Sequence, residues 1–424
     1  MSSRVRSPLA TARASLLLAL LALLALLAGC GSSAGSGATA AVPPGTCQQT
    51  VLRTLGAVLE RIYHEGVKSE RTGAAQHLVE TSLPLRQAIE SGNPAATAAA
   101  ARALVATGHI TNLRIVAGGR TLADIGSAAV TPLRGTINNA AGAPIADYTT
   151  SVWSDTGLTA EGQGVTQGVV VISRNGRSLG GTPQLPAGTP GGEGTVTLHG
   201  VDYQFFSFGG EAYPAGRARI YLLRQISSLA PLCGATPEET LVNTLGHIAS
   251  LIYAGEVGAR TQIQVRRVAH DPALLAAVAR QDPAAARLAI DALLNQHVVR
   301  LRVEVGGKLL ADVGGPYVLG PVGGTLRSGG RRIGTFLLSI QDDEGYKRLA
   351  GRLAGLKVLM YEAPAQPGGP PQLVKNSLGP SPGTVPASGR YTYQGQTYRV
   401  DTVNATAFPT GPLTIRVLIP IPYS

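Results

Sequence analysis

A repeat that spans almost the whole chain limits the fold more than any other feature of the sequence. The phrase LADIG at residues 122–126 returns as LADVG at 310–314, and other short matches keep their order along the chain. The matched pairs include Thr54 and Thr244, Tyr63 and Tyr253, Arg114 and Arg302, Pro132 and Pro321, Tyr203 and Tyr398, and Gly216 and Gly411. A spacing of about 190 residues is typical of a duplicated globular module rather than of a solenoid. The sequence therefore predicts two copies of one module.

The N-terminal segment has the pattern of an export signal. Arg4, Arg6 and Arg13 precede an apolar run at residues 16–28, which is too short for a good membrane span. The sequence Leu-Ala-Gly-Cys that ends at Cys30 resembles the lipobox of bacterial lipoproteins. The resemblance implies that residues 1–29 are a lipoprotein signal peptide. It also implies that Cys30 is diacylated and anchors the protein to a membrane without spanning it. The alternative is an uncleaved anchor that contains a buried cysteine.

The remaining chain divides into a tether and two modules. Residues 30–46 are rich in Gly, Ser, Ala and Pro, so we expect a flexible tether that buries no core. The mature chain of about 390 residues is too long for one ordinary core. The repeat divides it into module one at 47–232 and module two at 233–424, both expected on the extracytoplasmic side of the membrane.

Two cysteines remain besides Cys30. In an exported protein such a pair favours a disulfide between Cys47 and Cys233, whereas unpaired thiols or bridges to other chains are the alternatives. Each cysteine directly precedes the first predicted helix of a module, so the bridge would join the starts of both modules. The net charge of +11 comes from scattered residues without a basic run, which argues against a nucleic-acid partner.

Local patterns predict an α+β fold. Apolar residues three and four positions apart predict a long amphipathic helix at the start of each module, and Thr236, Pro237 and Glu239 form a capping pattern for the second one. Asn-Pro and Asp-Pro pairs predict the starts of shorter helices. The spacing then changes to two around Gly306-Gly307, which predicts a β-hairpin. The predicted module thus has a long N-terminal helix and short helices packed on an antiparallel sheet.

The order of these elements resembles a known family. The segments VVRLRVEVGGKLLADVG at 298–314 and RRIGTFLLSIQDDEGYKRL at 331–349 are similar to the extracytoplasmic Cache domains of bacteria, which are PAS-like sensors also called PDC domains. The resemblance covers both modules and is clearer in module two. It implies two tandem ligand-binding modules. It also implies a transmembrane signalling partner, because the sequence shows no signalling domain of its own.

The candidate ligand-binding residues follow from the predicted strands and from the resemblance. Arg114 and Arg302 alternate with apolar residues, so they point away from the packed face, and in PAS-like folds that other face lines the ligand cavity. An arginine there can hold a carboxylate with two hydrogen bonds. The alternatives are a solvated face or an ion pair between Arg302 and Glu304. The full set of candidates is Arg302, Glu304, Ser339, Asp343, Arg114 and Trp153.

The two modules differ after Asp155 and Asp343. Module one continues with the glycine-rich stretch TGLTAEGQGVTQG, whereas module two continues with a segment of helical pattern. We therefore expect that module one lacks this helix, which would form a pocket wall, and that a ligand binds in module two. Both aspartates follow predicted strands, which favours roles in turns and helix caps.

The sequence contains no convincing catalytic or metal-binding set. Gly176 to Gly180 matches G-x-S-x-G, but a nucleophile elbow needs a helix after the serine, and a Pro- and Gly-rich stretch follows instead. The histidines, including His109 and His297, lack metal-ligand spacing. We expect no cofactor, and a secreted hydrolase is disfavoured because no nucleophile, base and acid converge.

The sequence as a whole predicts a lipid-anchored, extracytoplasmic sensor protein that binds a small molecule and acts through a membrane partner. A carboxylate-bearing compound is one candidate ligand, because Arg302 is the favoured contact. The alternative hypothesis is a structural or adhesion lipoprotein of the cell envelope that binds no small ligand.

Overall fold

The computed structural model describes residues 46–179, 183–214, 216–255, 258–294, 298–315, 318–364, 366, 369–408 and 411–423. The predicted signal peptide, Cys30 and almost all of the predicted tether lie outside the described residues, as does His297. No helix within the described ranges is both long and apolar enough to cross a membrane.

Module one begins with helices and continues with strands. Its helices are α1 (Cys47–Glu65), α2 (Glu70–Glu80), α3 (Leu83–Glu90), α4 (Pro94–Ala106) and α5 (Asp155–Thr166). Its strands are β1 (Asn112–Ala117), β2 (Arg120–Gly126), β3 (Ala129–Val130), β4 (Leu133–Asn138), β5 (Pro144–Ser151), β6 (Trp153–Ser154), β7 (Val169–Arg174), β8 (Arg177–Leu179), β9 (Glu193–Leu198), β10 (Val201–Glu211) and β11 (Arg217–Gln225).

Module two repeats this order after two short 3-10 turns. Its helices are α6 (Pro237–Gly255), α7 (Ala259–Ala269), α8 (Pro272–Ala279), α9 (Pro283–Leu294) and α10 (Asp343–Ala354). Its strands are β12 (Arg300–Val305), β13 (Lys308–Gly314), β14 (Val318–Leu319), β15 (Val322–Ser328), β16 (Arg331–Ser339), β17 (Gln341–Asp342), β18 (Lys357–Glu362), β19 (Gln372–Asn376), β20 (Gly389–Tyr393), β21 (Gln396–Phe408) and β22 (Gly411–Ile421).

The predicted helix starts are confirmed where a side chain caps the backbone. The Asn93 side chain accepts hydrogen bonds from the first turn of α4, and Asp271 and Asp282 do the same for α8 and α9. At the start of α6, the Thr236 hydroxyl accepts from the Glu239 N–H at 3.1 Å. The Glu239 carboxylate accepts from Ala235 rather than from Thr236 itself, so the capping box is displaced by one residue.

The α+β class is confirmed, with antiparallel pairing throughout the described strands. Each module contains two main sheets, and module one also has a short two-stranded sheet of β3 and β6. The first sheet has the order β2-β1-β5-β4 in module one and β13-β12-β16-β15 in module two. The second sheet has the order β8-β7-β11-β10-β9, which returns as β19-β18-β22-β21-β20, with β14 and β17 added beyond β21. Helices α2 to α4 and α7 to α9 pack on the first sheet of their module, and the long helix of each module packs on the second.

The two modules share one hydrophobic core. Helices α1 and α6 lie side by side, α5 of module one packs on α6, and α10 of module two packs on α1. These helices form a layer between the two second sheets, and their apolar side chains belong to one buried cluster. Leu59, Ile62, Leu245 and Ile248 in this layer are fully buried. The predicted boundary at residues 232 and 233 stays a prediction, because the packing is continuous across it.

The expectation that module one lacks the helix after Asp155 is wrong. Residues Asp155–Thr166 form α5, whose first turn is capped by the Ser154 hydroxyl accepting from the Gly157 N–H at 2.9 Å. One of the glycines that the sequence counts against a helix is needed for packing, because a side chain at Gly162 would clash with Leu59 of α1. Tertiary contact therefore outweighs the low helix propensity of glycine.

The predicted disulfide is confirmed. Cys47 and Cys233 form a disulfide with their Cα atoms 5.6 Å apart. The two cysteines are separated by 186 residues in the sequence. Because Cys47 is the first residue of α1 and Cys233 lies just before α6, the bond joins the two helices at the start of the shared layer.

Removal of this bridge is expected to destabilise the protein through the unfolded state. A Cys47→Ala/Cys233→Ala variant should lose about 2–5 kcal/mol of unfolding free energy, because a long loop is no longer closed in the unfolded chain. Urea unfolding monitored by circular dichroism measures the change. Dithiothreitol should lower the stability of the parent protein and leave the variant unaffected; equal stability of both proteins under oxidising conditions would contradict the expectation.

Candidate functional site

An open cleft of about 1030 Å³ lies in module one. It is lined by β4 of the first sheet and by β7, β10 and β11 of the second sheet, together with residues of the segment 185–189. Ligand pockets usually measure about 300–1,000 Å³, so this module-one cleft can hold a small molecule. Tyr63 and Val67 at the end of α1 also line it.

Thr131, at the inner end of the cleft, has an unfavourable backbone conformation. Its φ angle is 54°, in the left-handed region, and among the described residues it is the β-branched one found there. Such a conformation costs about 1–3 kcal/mol and persists only where the surroundings enforce it. The Thr131 side chain is 2% exposed, and its Oγ1 atom has no hydrogen-bond partner within the described part of the chain. A buried hydroxyl of this kind marks a functional candidate.

Module two shows that the fold does not require a threonine at this point. The residue that corresponds to Thr131 in the repeat is Gly320, directly before the matching prolines Pro132 and Pro321. Gly320 has the same backbone conformation, with a φ angle of 57°, and glycine adopts it without strain. The strained side chain is therefore a property of module one and of its cleft.

Trp153, a predicted ligand contact, lies beside Thr131. A Cβ atom added to Gly66 would clash with both the Thr131 hydroxyl and the Trp153 ring, so the two side chains meet at this glycine. The Arg71 guanidinium lies 4.9 Å from the centre of the indole ring, a cation–π contact. The Trp153 Nε1 atom is buried and has no acceptor among the described residues. Two side chains with unpartnered polar groups thus lie close together, and of the two Thr131 lines the cleft.

The charges of the module-one cleft are predominantly positive. Arg134 donates to the Glu211 carboxylate at 2.8 Å, across the gap between the two sheets. Arg217 and Arg219 also line the cleft, and within the described residues neither has an acidic partner within ion-pair distance. The Tyr63 hydroxyl accepts from the Glu211 N–H at 2.8 Å. Burial raises the pKa of Tyr63, and this hydrogen bond partly offsets the rise.

The predicted pair Arg302 and Glu304 lies at a smaller cavity, in module two. This module-two cavity measures about 230 Å³ and is lined by both side chains together with Phe408. The Arg302 Nε and Glu304 Oε1 atoms are 3.0 Å apart, and the guanidinium lies 5.7 Å from the centre of the Phe408 ring. The cavity is smaller than the usual range for ligand pockets, and its arginine is already paired.

The other predicted contacts do not converge with Arg302. Arg114 forms an ion pair of 3.5 Å with Asp124, which also accepts from the Tyr213 hydroxyl at 2.8 Å. Asp343 forms an ion pair of 2.9 Å with Lys375, and the Ser339 hydroxyl is buried without a partner among the described residues. Neither Ser339 nor Asp343 lines the module-one cleft or the module-two cavity. The set predicted from the sequence is therefore spread over separate places.

Asp155, Asp343 and Ser178, for which the sequence suggests helix caps or catalysis, have local structural roles. Ser154 and Asp342 cap α5 and α10, so Asp155 and Asp343 are the first helical residues rather than the caps. Each accepts a hydrogen bond from the next N–H of its helix. Ser178 of the G-x-S-x-G match lies in β8 and donates to the Pro183 carbonyl. Over the described ranges, no three His, Cys, Asp or Glu side chains are grouped closely enough to hold a metal ion.

Comparison with known proteins adds little to this geometry. No family model matches the chain, and no curated protein matches it significantly. Solved structures that align with it include the ligand-binding domain of the Pseudomonas fluorescens chemoreceptor CtaA in complex with L-isoleucine, L-serine and L-alanine. All three are 12% identical to this chain. The isoleucine complex aligns with 44% of this chain and 95% of its own, with a TM-score of 0.27. The corresponding values are 42%, 97% and 0.26 for the serine complex and 43%, 98% and 0.25 for the alanine complex. Likeness of this degree carries no argument about ligand or function.

The strain at Thr131 leads to a stability prediction. Thr131→Gly should change the free energy of unfolding by less than about 1 kcal/mol, because the relieved strain offsets the lost contacts and the greater freedom of the unfolded chain. The matched control is Thr150→Gly, at a fully buried threonine of β5 outside the left-handed region. The control should lose at least about 2 kcal/mol, since glycine weakens a strand and the buried hydroxyl loses its hydrogen bond. Equal losses in urea unfolding of the two variants would show that Thr131 is not strained.

Proposed function

We propose that this protein is an extracytoplasmic sensor that binds a small molecule in the module-one cleft. The observation that carries the proposal is Thr131. A strained, buried threonine with an unpartnered hydroxyl stands at the end of an open cleft, where module two has an unstrained glycine. Strain of this kind is retained where it contributes to a function, and a ligand group at the hydroxyl supplies that function.

The position of the cleft supports a sensor role. Tyr63 lines the cleft and also belongs to the core cluster that both modules share. A ligand that moves the end of α1 therefore changes the packing of α1 on α6 and α10, which extends into module two. In this proposal, module one binds the ligand and module two presents the changed packing to a signalling partner in the membrane.

The lipid anchor is the part of the proposal that rests on the sequence. The lipobox-like sequence before Cys30 supports diacylation of that cysteine, which keeps the protein at the outer face of a membrane. Two acyl chains bury enough apolar surface for stable anchoring, and the tether lets the two modules reach a partner.

The ligand is to be sought by thermal shift on the compact unit from Ala41 to Ser424. The library contains amino acids, carboxylates, nucleobases and amines. A compound at about a hundred times its dissociation constant stabilises the folded protein by about 2.7 kcal/mol. The blocking variant is Gly209→Trp, since a Cβ atom at Gly209 meets open space in the cleft, and the control is Gly323→Trp, which lies outside it.

The proposal predicts a shift that is lost in Gly209→Trp and kept in both Gly323→Trp and Arg302→Ala. A shift that disappears in Arg302→Ala and persists in Gly209→Trp would place the ligand in the module-two cavity instead. No shift with any compound of the library would contradict the sensor proposal and favour a structural envelope lipoprotein.

The anchor has its own test in the full chain. A Cys30→Ala variant expressed in a bacterium should lose the incorporation of radiolabelled palmitate and leave the membrane fraction, because the acylated residue is gone. The Cys47→Ala variant is the control, since Cys47 bonds to Cys233, and its labelling should be unchanged. Continued labelling of Cys30→Ala would refute acylation at this residue.

A further inference from the structure

We infer that the ligand of the module-one cleft carries two anionic groups, and that module two has no corresponding site. The inference rests on the proposed function and names the chemical class of the ligand. Its basis is a pair of arginines, Arg217 and Arg219, that line the cleft and have no counterparts in the second copy of the fold.

The two arginines stand on the same face of one strand. In β11, Ala218 and Ile220 point into the shared core, so Arg217 and Arg219 point to the opposite, outer face. Alternate residues of a strand are about 7 Å apart, so the strand presents two guanidinium groups along one line. Glu211 pairs with Arg217 across the sheet, but its carboxylate binds Arg134 at 2.8 Å. Within the described residues, no carboxylate lies within ion-pair distance of Arg217 or Arg219.

The Arg219 side chain is exposed, and its guanidinium lies close to Gly191 rather than in an ion pair within the described residues. The neighbouring Tyr221 on the same face donates from its hydroxyl to the Thr189 carbonyl at 3.2 Å, which holds the rim segment over the strand.

The second module shows that the scaffold does not need these charges. Its sheet keeps the register, because Thr406 pairs with Pro412 as Glu211 pairs with Arg217. Pro412 and Thr414 therefore occupy the positions of Arg217 and Arg219, and Gly323 occupies that of Arg134. Every arginine of the module-one cleft is thus replaced by an uncharged residue, and Gly320 replaces Thr131. Since the two copies share the same strand pairing, the fold does not require these arginines, and we assign them to ligand binding in the cleft.

The arrangement favours a linear organic dianion. One anionic group binds Arg219 and the other binds Arg217, each through charge-assisted hydrogen bonds. Dicarboxylates and bisphosphates share this chemistry, and a neutral compound of the same length lacks it.

The test compares charged and neutral probes on the same protein. The probes are the dicarboxylates from malonate to suberate and fructose 1,6-bisphosphate, each paired with its diamide or with fructose. Thermal shift and isothermal titration calorimetry are carried out on the parent protein, Arg217→Ala, Arg219→Ala and the double variant. The control is Arg331→Ala/Arg332→Ala, which removes the same charge from exposed positions of β16 outside the cleft.

We expect binding of at least one dianion and of no neutral counterpart. Each single cleft variant should weaken the affinity for the dianion about tenfold or more, and the control variant should leave that affinity unchanged. The relative affinities of the dicarboxylates and the bisphosphate then show whether carboxylate or phosphate groups fit the cleft. Binding of no dianion, or a dianion that still binds the double variant, would overturn the inference. A neutral or cationic compound that is blocked by Gly209→Trp would overturn the charge argument alone and leave the proposed function standing.

Discussion

The packing of α1 on α6, with α5 and α10 beside them, is the contact on which the rest of the structure depends. Each second sheet covers one side of this helix layer, so the apolar faces of both sheets stay buried only while the layer is intact. Burial of a leucine or isoleucine contributes about 1.5–3 kcal/mol, and Leu59, Ile62, Leu245 and Ile248 are all fully buried here. The Cys47–Cys233 bond closes the start of the layer. The first sheets and the module-one cleft lie outside this layer. Tyr63 connects the two regions, because it belongs to the layer and also lines the cleft.

The duplication explains how one copy tolerates an unfavourable residue. Both modules impose a left-handed backbone at the residue before a proline, as Thr131 and Gly320 show. The glycine is the low-energy solution, and the threonine requires that the surrounding packing enforce its conformation. The shared core supports that packing, so residues of the cleft in module one can differ from those of module two without loss of the common fold. The same division holds for Arg217 and Arg219, which face the cleft and play no part in the core.

The sequence predicted the features that depend on neighbouring residues. The caps at Asn93 and Asp271 and the hairpin at Gly306-Gly307 are local, and the structure confirms them. The helix after Asp155 was missed because its stability comes from contacts of Gly162 and Leu158 with distant residues. The cleft was missed for the same reason, since Thr131 and Arg219 come together only in the fold. Alignment of the repeats does show a threonine opposite Gly320, but the sequence does not reveal the backbone angle that makes this difference matter.

Intrinsic tryptophan fluorescence tests the central claim most directly, because Trp153 is the single tryptophan of the chain and lies close to Thr131, which lines the module-one cleft. Each compound that raises the melting temperature is titrated while the indole emission is recorded. If the ligand binds in this cleft, the emission changes and saturates with the dissociation constant found by calorimetry. A compound that binds with the same affinity and leaves the emission of Trp153 unchanged would place the site elsewhere and contradict the account.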